Sequence, residues 1–493
     1  MTRRTARDIL ALLIDAESWR SWDGPPQMPA VISAEYAAEL AAARTAAGVD
    51  ESVLTGAATI AGRPVAIVVS EFGFLAGSIG RAAGHRIVAA IRRATAARLP
   101  LVALPASGGT RMQEGTAAFL QMVAITAAVV DHKAARLPYL VYLRHPTTGG
   151  VLASWGSLGH VTLAQPDALI GFLGPRVYEG LYGEPFAEGV QRAENLRAQG
   201  IIDIVTPPDN LAEFVDAVLA VVDHDRPVAP AAVATPSAFA SRGEVWSSVL
   251  RSRDPRRPGI RDLLTQIASP VVYLNGTGEG ESDRAMVVAL ATIGGRGVVV
   301  IGQDRRRQRP GSWLGPAALR VARRGMSLAA ELNLPLVTVV DTPGAELSAA
   351  AEEGGLAAEI ARCLADLIAL PVPTVSVLLG EGAGGAALAL LPADRLVAAE
   401  HAWLSPLPPE GASIIVHRDV DHAAQMAAAQ GIRADTLREN GFVDLVVAEA
   451  PDSSAPEQFC AAMADAVVSA LAQACAQTDR TQAIMTRTAR FGA

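Results

Sequence analysis

The sequence predicts an α/β protein built from two copies of one unit, each with parallel strands joined by crossover helices. Three observations support this prediction: a repeat with constant spacing, continuous apolar runs followed by glycine turns, and an aromatic content of only 4%. The chain has 493 residues, which is long enough for two or three domains that each bury their own core.

The repeat keeps one spacing over about fifty residues, which is hard to attribute to chance. Four residue pairs are each 235 positions apart: Pro100 and Pro335, Gly109 and Gly344, Pro138 and Pro373, and Gly149 and Gly384. Flanking segments agree with small slips, since AENLRAQGIIDIV at 193–205 resembles ADTLRENGFVDLV at 434–446.

Periodicity predicts the elements of each half. Residues 65–69 and 298–301 are continuous apolar runs, which is typical of strands buried on both faces. Leu319, Ala322 and Met326 recur at helical spacing. Residues 226–243 are rich in Pro, Ala and Ser and are expected to form a linker between a first domain, 1–225, and a second domain, 244–493.

Each half has two glycine turns between a strand and a helix. They are SGG at 107–109 and TTGG at 147–150 in the first half, and TPGA at 342–345 and GAGGA at 382–386 in the second. Two such turns side by side can direct two backbone N–H groups at one oxygen, which forms an oxyanion hole suited to an enolate. Tight turning without chemistry is the structural alternative.

Composition and charge exclude several classes. A net charge of −8 gives no electrostatic reason to expect nucleic acid or an anionic membrane as partner. No uninterrupted apolar run reaches roughly 18 residues, and the N-terminus does not read as a secretory signal, so we expect a cytoplasmic protein. The three cysteines form no CxxC pair, and we expect no metal site. Lys133 is the only lysine, and its context fits neither a P-loop nor attached biotin.

The motifs resemble a known family. SGGTRMQEG (107–115), HPTTGGVLASW (145–155) and PDALIGFLGPRV (166–177) resemble the β subunit of the acetyl-CoA carboxylase carboxyltransferase. RPGIRDLL (257–264), DTPGAELSAAAEEGG (341–355) and GEGAGGAALAL (380–390) resemble its α subunit. The whole chain is similar to a fused β–α form that lacks the family's four-cysteine zinc ribbon.

The resemblance implies two tandem crotonase-like domains. The first would hold acyl-CoA and the second carboxybiotin from a separate carrier protein, served by a biotin carboxylase. The active site would lie between the first domain of one subunit and the second domain of another, so at least a homodimer is implied. The implied reaction carboxylates acetyl-CoA to malonyl-CoA for fatty acid biosynthesis, and biotin itself takes the α-proton.

The family's functional residues carry over by position. The backbone groups implied to stabilise the thioester enolate are those of Gly108, Gly109, Gly149 and Gly150. Those implied to polarise the biotin ureido carbonyl are Gly344, Ala345, Gly384, Gly385 and Ala386, where two registers leave Gly385 and Ala386 as alternatives. This chain departs from the family pattern at His145 and in GAELS (344–348) and EEGGL (352–356), so most departures lie on the biotin side.

Other side chains remain candidates. Arg81 and Arg111 follow first-half turns and are expected to contact CoA phosphates, with Ser78 as a further substrate-binding residue or simply a structural serine. Glu114 and Glu381 flank glycine turns, where a hydratase would use two carboxylates as acid and base. Two other functions stay open: a biotin-independent acyl-CoA decarboxylase that uses only the first oxyanion hole, and a non-catalytic carboxylase subunit.

Overall fold

A computed structural model describes residues 4–27, 32–223, 244–309, 312–449 and 456–492. The chain divides into two compact units, Met1–Leu219 with Gly278–Gly280, and Ala220–Thr277 with Glu281–Ala493. The expected linker, 226–243, lies outside the described residues, so the boundaries proposed for it stay a prediction.

The first unit contains the N-terminal half of the repeat. Its strands are β1 Arg20–Ser21, β2 Val53–Ile60, β3 Arg63–Ser70, β4 Leu101–Leu104, β5 Tyr139–Leu143, β6 Thr147–Thr148, β7 Val161–Ala164, β8 Ile170–Gly171 and β9 Ile204–Val205. The helices of this part of the chain are α1 Ala6–Leu13, α2 Ala34–Ala47, α3 Arg81–Ala96, α4 Gly115–Phe119, α5 Gln121–Ala134, α6 Gly149–Leu152, α7 Pro175–Tyr182, α8 Ala193–Ala198 and α9 Leu211–Val222.

Seven of these strands form one sheet in the order β1-β2-β3-β4-β5-β7-β9. The pairs β1–β2 and β2–β3 are antiparallel, and every later pair is parallel. Helices α3 and α5 pack on this sheet, and Ile87, Ile91, Ile125 and Val129 bury their side chains there. Parallel strands place their carboxyl ends at one edge of a sheet, so the loops that follow β4 and β5 meet at that edge.

The second unit repeats the arrangement. Its strands are β10 Ala268–Leu274, β11 Met286–Ile293, β12 Arg296–Gln303, β13 Leu336–Thr342, β14 Thr374–Ala383, β15 Arg395–Ala399, β16 Trp403–Ser405 and β17 Leu445–Val447. Its helices are α10 Val245–Ser252, α11 Ile260–Ile267, α12 Pro316–Leu332, α13 Ala349–Glu353, α14 Leu356–Ala369, α15 Gly384–Leu388, α16 Pro409–His417, α17 Ala423–Ala429, α18 Ala434–Glu439, α19 Pro456–Ala476 and α20 Arg480–Ala489.

The second sheet follows the order β10-β11-β12-β13-β14-β15-β17, with β16 added beside β14. Its first two strand pairs are antiparallel and the rest parallel, as in the first sheet. Position for position, the two seven-strand orders are the same. The duplicated α/β architecture predicted from the spacing is therefore confirmed.

The predicted buried strands and helix are also confirmed. The last six residues of β3 and of β12 are all buried. In α12, Leu319, Ala322 and Met326 face the core, whereas Arg320 and Arg323 form ion pairs with Glu359. Amphipathic periodicity was sufficient to place this helix and its buried face.

In the part of the chain that the structure describes, one single helix has the length and composition of a membrane span. It is α19, and about half of its apolar window is buried inside the second unit. Phe459, Met463, Val467 and Leu471 are buried, and the helix packs on β14, β15 and α11. Its apolar side chains therefore belong to the core of this unit.

Candidate active site

The two glycine turns of the first unit lie side by side. Ser107 follows β4 and forms an isolated parallel bridge with Thr147 of β6. The Ser107 N–H donates to the Pro146 carbonyl at 2.7 Å, and the Thr148 N–H donates to the Ser107 carbonyl at 2.9 Å. These bonds bring the segment 107–110 against the start of α6.

Glycine is required where the two turns touch. Gly109 has a φ of +105° and Gly149 a φ of +62°, a region that other residues rarely adopt. A Cβ on Gly109 would lie 3.4 Å from the Gly149 Cα, and a Cβ on Gly149 would lie 3.3 Å from the Gly109 Cα. Both the backbone conformation and the close approach therefore explain the paired glycines.

Hydrogen bonds within the unit already occupy three of the four glycine N–H groups predicted as enolate donors. The Gly108 N–H donates to the Ala76 carbonyl at 2.9 Å, and the Gly149 N–H donates to the Phe172 carbonyl at 2.9 Å. The Gly109 N–H donates to Ser107 Oγ at 3.0 Å. These three glycines shape the turns, and their N–H groups are not free to bind an oxyanion.

Two neighbouring N–H groups remain available, those of Thr110 and Gly150. Within the described residues neither has a hydrogen-bond acceptor, and a Cβ on Gly150 would lie 3.2 Å from Thr110 Oγ1. Gly150 is the second residue of α6, where a helix leaves its N–H groups unpaired. The candidate oxyanion hole thus consists of Thr110 and Gly150. Sequence reasoning missed Thr110, although it lies 235 positions before Ala345, which was included.

The second unit repeats this pattern. Gly344 has a φ of +134° and Gly384 a φ of +67°. The Gly344 N–H donates to Thr342 Oγ1 at 3.1 Å, as the Gly109 N–H does to Ser107 Oγ. Ala345 forms an isolated parallel β-bridge with Leu314, as Thr110 does with Ile79. Among the described residues, the N–H groups of Ala345 and Gly385 have no acceptor, so they form the equivalent pair of donors.

The geometry favours Gly385 over Ala386 as the second donor. Gly385 is the second residue of α15, which is the position that Gly150 has in α6. The Ala386 side chain is fully buried, and its carbonyl accepts a hydrogen bond from Gln303 Nε2 at 2.8 Å. Ala386 is therefore an anchoring point of the turn.

The second pair of turns is more open than the first. A Cβ on Gly344 would meet no described atom within 4 Å, whereas one on Gly109 meets the opposite turn. A Cβ on Gly384 would lie 3.4 Å from the Pro406 carbonyl oxygen. The described residues therefore leave space beside Gly344.

Arg111 does not have the environment expected of a phosphate ligand. Its side chain is completely buried and forms an ion pair with Glu51, with Nη1 and Oε2 3.0 Å apart. Nη2 also donates to the Ser78 carbonyl at 2.8 Å, and Nε donates to Ser78 Oγ at 3.3 Å. In this structure the Arg111 guanidinium is buried in these contacts, and Ser78 is half-buried beside it.

Arg81 differs from Arg111. It is half-buried at the first position of α3 and lines a cleft of about 460 Å³, together with Tyr36, Glu39 and Gln113. Its backbone N–H donates to Glu114 Oε2 at 2.7 Å, and Glu114 lines the same cleft. Of the three proposed substrate-binding residues, Arg81 alone keeps an accessible charge.

The candidate acids and bases are already engaged. Glu114 is almost fully buried, and it accepts hydrogen bonds from the Tyr36 hydroxyl at 2.5 Å and from the Arg81 N–H. Burial raises the pKa of Tyr36 to about 12. Glu381 pairs with Arg253 at 2.9 Å, and His145 Nδ1 accepts from the Leu169 N–H at 3.0 Å. The geometry therefore does not support acid–base catalysis by two carboxylates.

Two repeated mixed sheets, each with a pair of glycine turns at the carboxyl ends of its parallel strands, define a tandem crotonase-like carboxyltransferase fold. The model of the carboxyl transferase domain matches residues 2–488. The chain belongs to this family of biotin-dependent acyl-CoA carboxylase carboxyltransferases, as its motifs predicted.

Individual relatives agree with the family assignment. The probable biotin-dependent acyl-coenzyme A carboxylase beta3 subunit of Mycobacterium tuberculosis is 57% identical over 95% of this chain and 94% of its own length. The acetyl-coenzyme A carboxylase carboxyl transferase subunits beta/alpha of Salinispora arenicola is 38% identical over 91% of this chain and 83% of its own. The structure of transcarboxylase 12S, a hexamer with methylmalonyl-coenzyme A bound, matches 96% of this chain and 90% of that chain with a TM-score of 0.77 at 22% identity.

Proposed function

We propose that this protein transfers a carboxyl group from carboxybiotin on a separate carrier protein to the α-carbon of an acyl-CoA. We further propose acetyl-CoA as the acceptor and malonyl-CoA as the product, in cytoplasmic fatty acid biosynthesis. The observation that carries this proposal is the pair of available N–H groups at Thr110 and Gly150, because two preorganised donors stabilise the oxygen of a thioester enolate.

The first unit would bind the acyl-CoA and hold its thioester oxygen. Thr110 and Gly150 donate to that oxygen, while Gly109 and Gly149 allow the turns to approach closely enough for both donors to reach it. Preorganised donors cost no rearrangement as negative charge develops on the oxygen. Arg81, which lines the adjacent cleft, would contact a CoA phosphate.

The second unit would hold the ureido carbonyl of biotin. Ala345 and Gly385 present N–H donors of the same kind, and the open space beside Gly344 fits the planar ring. Carboxybiotin, when bound, supplies CO2 and, through its ring nitrogen, the base for the α-proton. The residues of the chain then have only to bind, orient and polarise, which agrees with the engaged state of Glu114, Glu381 and His145.

The proposed reaction also implies which proteins this chain acts with. The chain has a single lysine, Lys133, which lies in the last turn of α5. Covalent biotin is attached to a lysine, and the sequence around Lys133, DHKAAR, does not fit an attached biotin. We therefore propose that biotin arrives on a carrier protein, loaded by a biotin carboxylase, and that the chain acts as a homo-oligomer.

The test is a turnover assay with purified protein. Acetyl-, propionyl- and longer acyl-CoAs are supplied with and without biotin carboxylase, ATP, bicarbonate and biotinylated carrier, and the carboxylated product is measured. We expect product only with the complete set, and the acyl-CoA of highest kcat/KM identifies the acceptor. Product from acyl-CoA without a biotin carrier, or loss of CO2 from malonyl-CoA in the presence of avidin, would contradict the proposal.

A further inference from the structure

A buried polar network connects the two turns of the second unit. Gln303, the last residue of β12, is completely buried. Its Oε1 accepts from the Asp341 N–H at 2.9 Å, and its Nε2 donates to the Ala386 carbonyl at 2.8 Å. One side chain therefore joins β13, which leads into the first turn, to α15, which begins in the second.

Asp341 extends the network to β14. It is 1% exposed, three residues before Gly344, and its Oδ1 accepts from the Glu381 N–H at 3.1 Å. Its carbonyl accepts from Gln308 Nε2 at 3.0 Å. Gln308 Oε1 in turn accepts from Thr342 Oγ1, the hydroxyl that holds the Gly344 N–H. Through these contacts Asp341 fixes where both turns begin.

The first unit does not contain this network. By strand position, Ser70 at the end of β3 corresponds to Gln303, because each is the last residue of the third strand of its sheet. Ala106 corresponds to Asp341 at the spacing of 235. The Ser70 hydroxyl has no hydrogen-bond partner among the described residues. The duplication therefore does not explain the network, and its function belongs to the second unit alone.

We propose that Gln303 and Asp341 are positioning residues that hold the Ala345 and Gly385 N–H groups in register for the carbonyl of biotin. This inference rests on the proposed function of the second unit. The network couples both donors, because β13 leads into the turn that contains Ala345 and α15 contains Gly385. A shift of either turn by a fraction of an ångström would separate the two donors from one shared acceptor.

The charge of Asp341 gives the network a pH dependence. Burial raises the pKa of Asp341 to about 6, and Glu381 adds to this effect, while Arg305 and Arg257 oppose it. Arg305 Nε lies 3.9 Å from Asp341 Oδ2. Oδ2 is buried and has no hydrogen-bond partner among the described residues. Protonation weakens the acceptor that holds the Glu381 N–H, so alignment should loosen as the pH falls through about 6.

The test uses the full-length protein in the reverse reaction, malonyl-CoA with free biotin as the acceptor. The variants are Gln303→Leu, Asp341→Leu and Asp341→Asn, with Ser70→Ala as the matched control in the first unit. We expect Gln303→Leu and Asp341→Leu to lower kcat/KM for biotin at least tenfold, while the Kd for malonyl-CoA changes by less than twofold. Asp341→Asn keeps an oxygen acceptor, so its kcat/KM for biotin should stay within about threefold of the wild-type value. This variant should also lose the change in KM for biotin near pH 6.

The outcomes separate this inference from the proposed function. If the wild-type protein consumes malonyl-CoA without any dependence on biotin, the proposed function is wrong. If the wild type depends on biotin and the two Leu variants keep its kcat/KM, the positioning inference alone is wrong. Should a Leu variant fail to fold, the kcat/KM for biotin of Gln303→Glu tests the positioning inference instead. This variant keeps the acceptor for the Asp341 N–H and replaces the donor to the Ala386 carbonyl with an oxygen.

Discussion

Arg111 and Glu51 form a completely buried ion pair, with Arg111 Nη1 and Glu51 Oε2 3.0 Å apart. The pair joins the residue that follows the first glycine turn to the residues that precede β2. Arg111 Nη2 adds a bond to the Ser78 carbonyl, so three separate segments depend on one guanidinium. The first candidate oxyanion hole is therefore supported by a buried charge pair.

Removal of one partner of this pair should destabilise the fold. We expect Arg111→Met to lower the free energy of unfolding by about 3–5 kcal/mol, because Glu51 would keep a buried charge without a partner. The double variant Arg111→Met with Glu51→Leu should recover part of this loss. Urea unfolding followed by circular dichroism measures both. An unchanged free energy of unfolding together with weaker acyl-CoA binding would instead identify Arg111 as a ligand contact.

Arg81 should behave in the opposite way. Arg81 lines the cleft beside α3, so Arg81→Ala is expected to weaken acyl-CoA binding about tenfold, roughly 1.4 kcal/mol, through loss of a phosphate contact. The melting temperature should stay unchanged. Arg92→Ala, at an exposed position of the same helix, is the matched control. Titration calorimetry with acetyl-CoA gives the affinity, and equal Kd values for the Arg81 variant and wild type would exclude the contact.

Obstruction of the first oxyanion hole should reduce turnover. A Cβ on Gly150 would lie 3.2 Å from Thr110 Oγ1 and 3.3 Å from Met122 Cγ, so Gly150→Val must crowd the side chains packed beside the two donors. We expect kcat to fall on the order of a hundredfold, or about 3 kcal/mol. Gly180→Val is the control, since a Cβ there meets no described atom within 4 Å. A non-catalytic subunit would show the same partner binding and no change in turnover for either variant.

The burial of His132 predicts that the first unit becomes less stable at acidic pH. Burial lowers the pKa of His132 to about 4, against an ordinary value near 6.5. Between these values the unfolded chain binds a proton that the folded chain does not, so the free energy of unfolding falls as the pH drops through this window, by about 1.4 kcal/mol per pH unit. His132→Gln should remove that part of the slope, whereas His85→Gln at an exposed position should not. Parallel slopes for wild type and His132→Gln would contradict the assignment.

The fold was predictable because it is repeated. The spacing of 235 and the apolar runs at 65–69 and 298–301 identified two equivalent sheets, and local periodicity identified α12. These signals are local or periodic, and the structure confirms them. The sequence also placed the glycine turns, since a glycine pair between a strand and a helix has few other uses.

The donors within the turns were less predictable. Which N–H remains available depends on acceptors that are distant in sequence, such as the Phe172 carbonyl for Gly149. The burial of Arg111 depends on Glu51, sixty positions earlier, and no local sequence pattern predicts that ion pair. Thr110 is the exception, because its equivalence with Ala345 was available from the spacing.

The equal strand order of the two sheets has a consequence for how the protein is made. If the two halves were separate subunits, they would have to be synthesised in matched amounts. Here one ribosome delivers both pairs of turns from one message, so every translated chain carries one Gly150 and one Gly385. The duplication thus fixes the stoichiometry of the two units at one to one, whatever the level of expression.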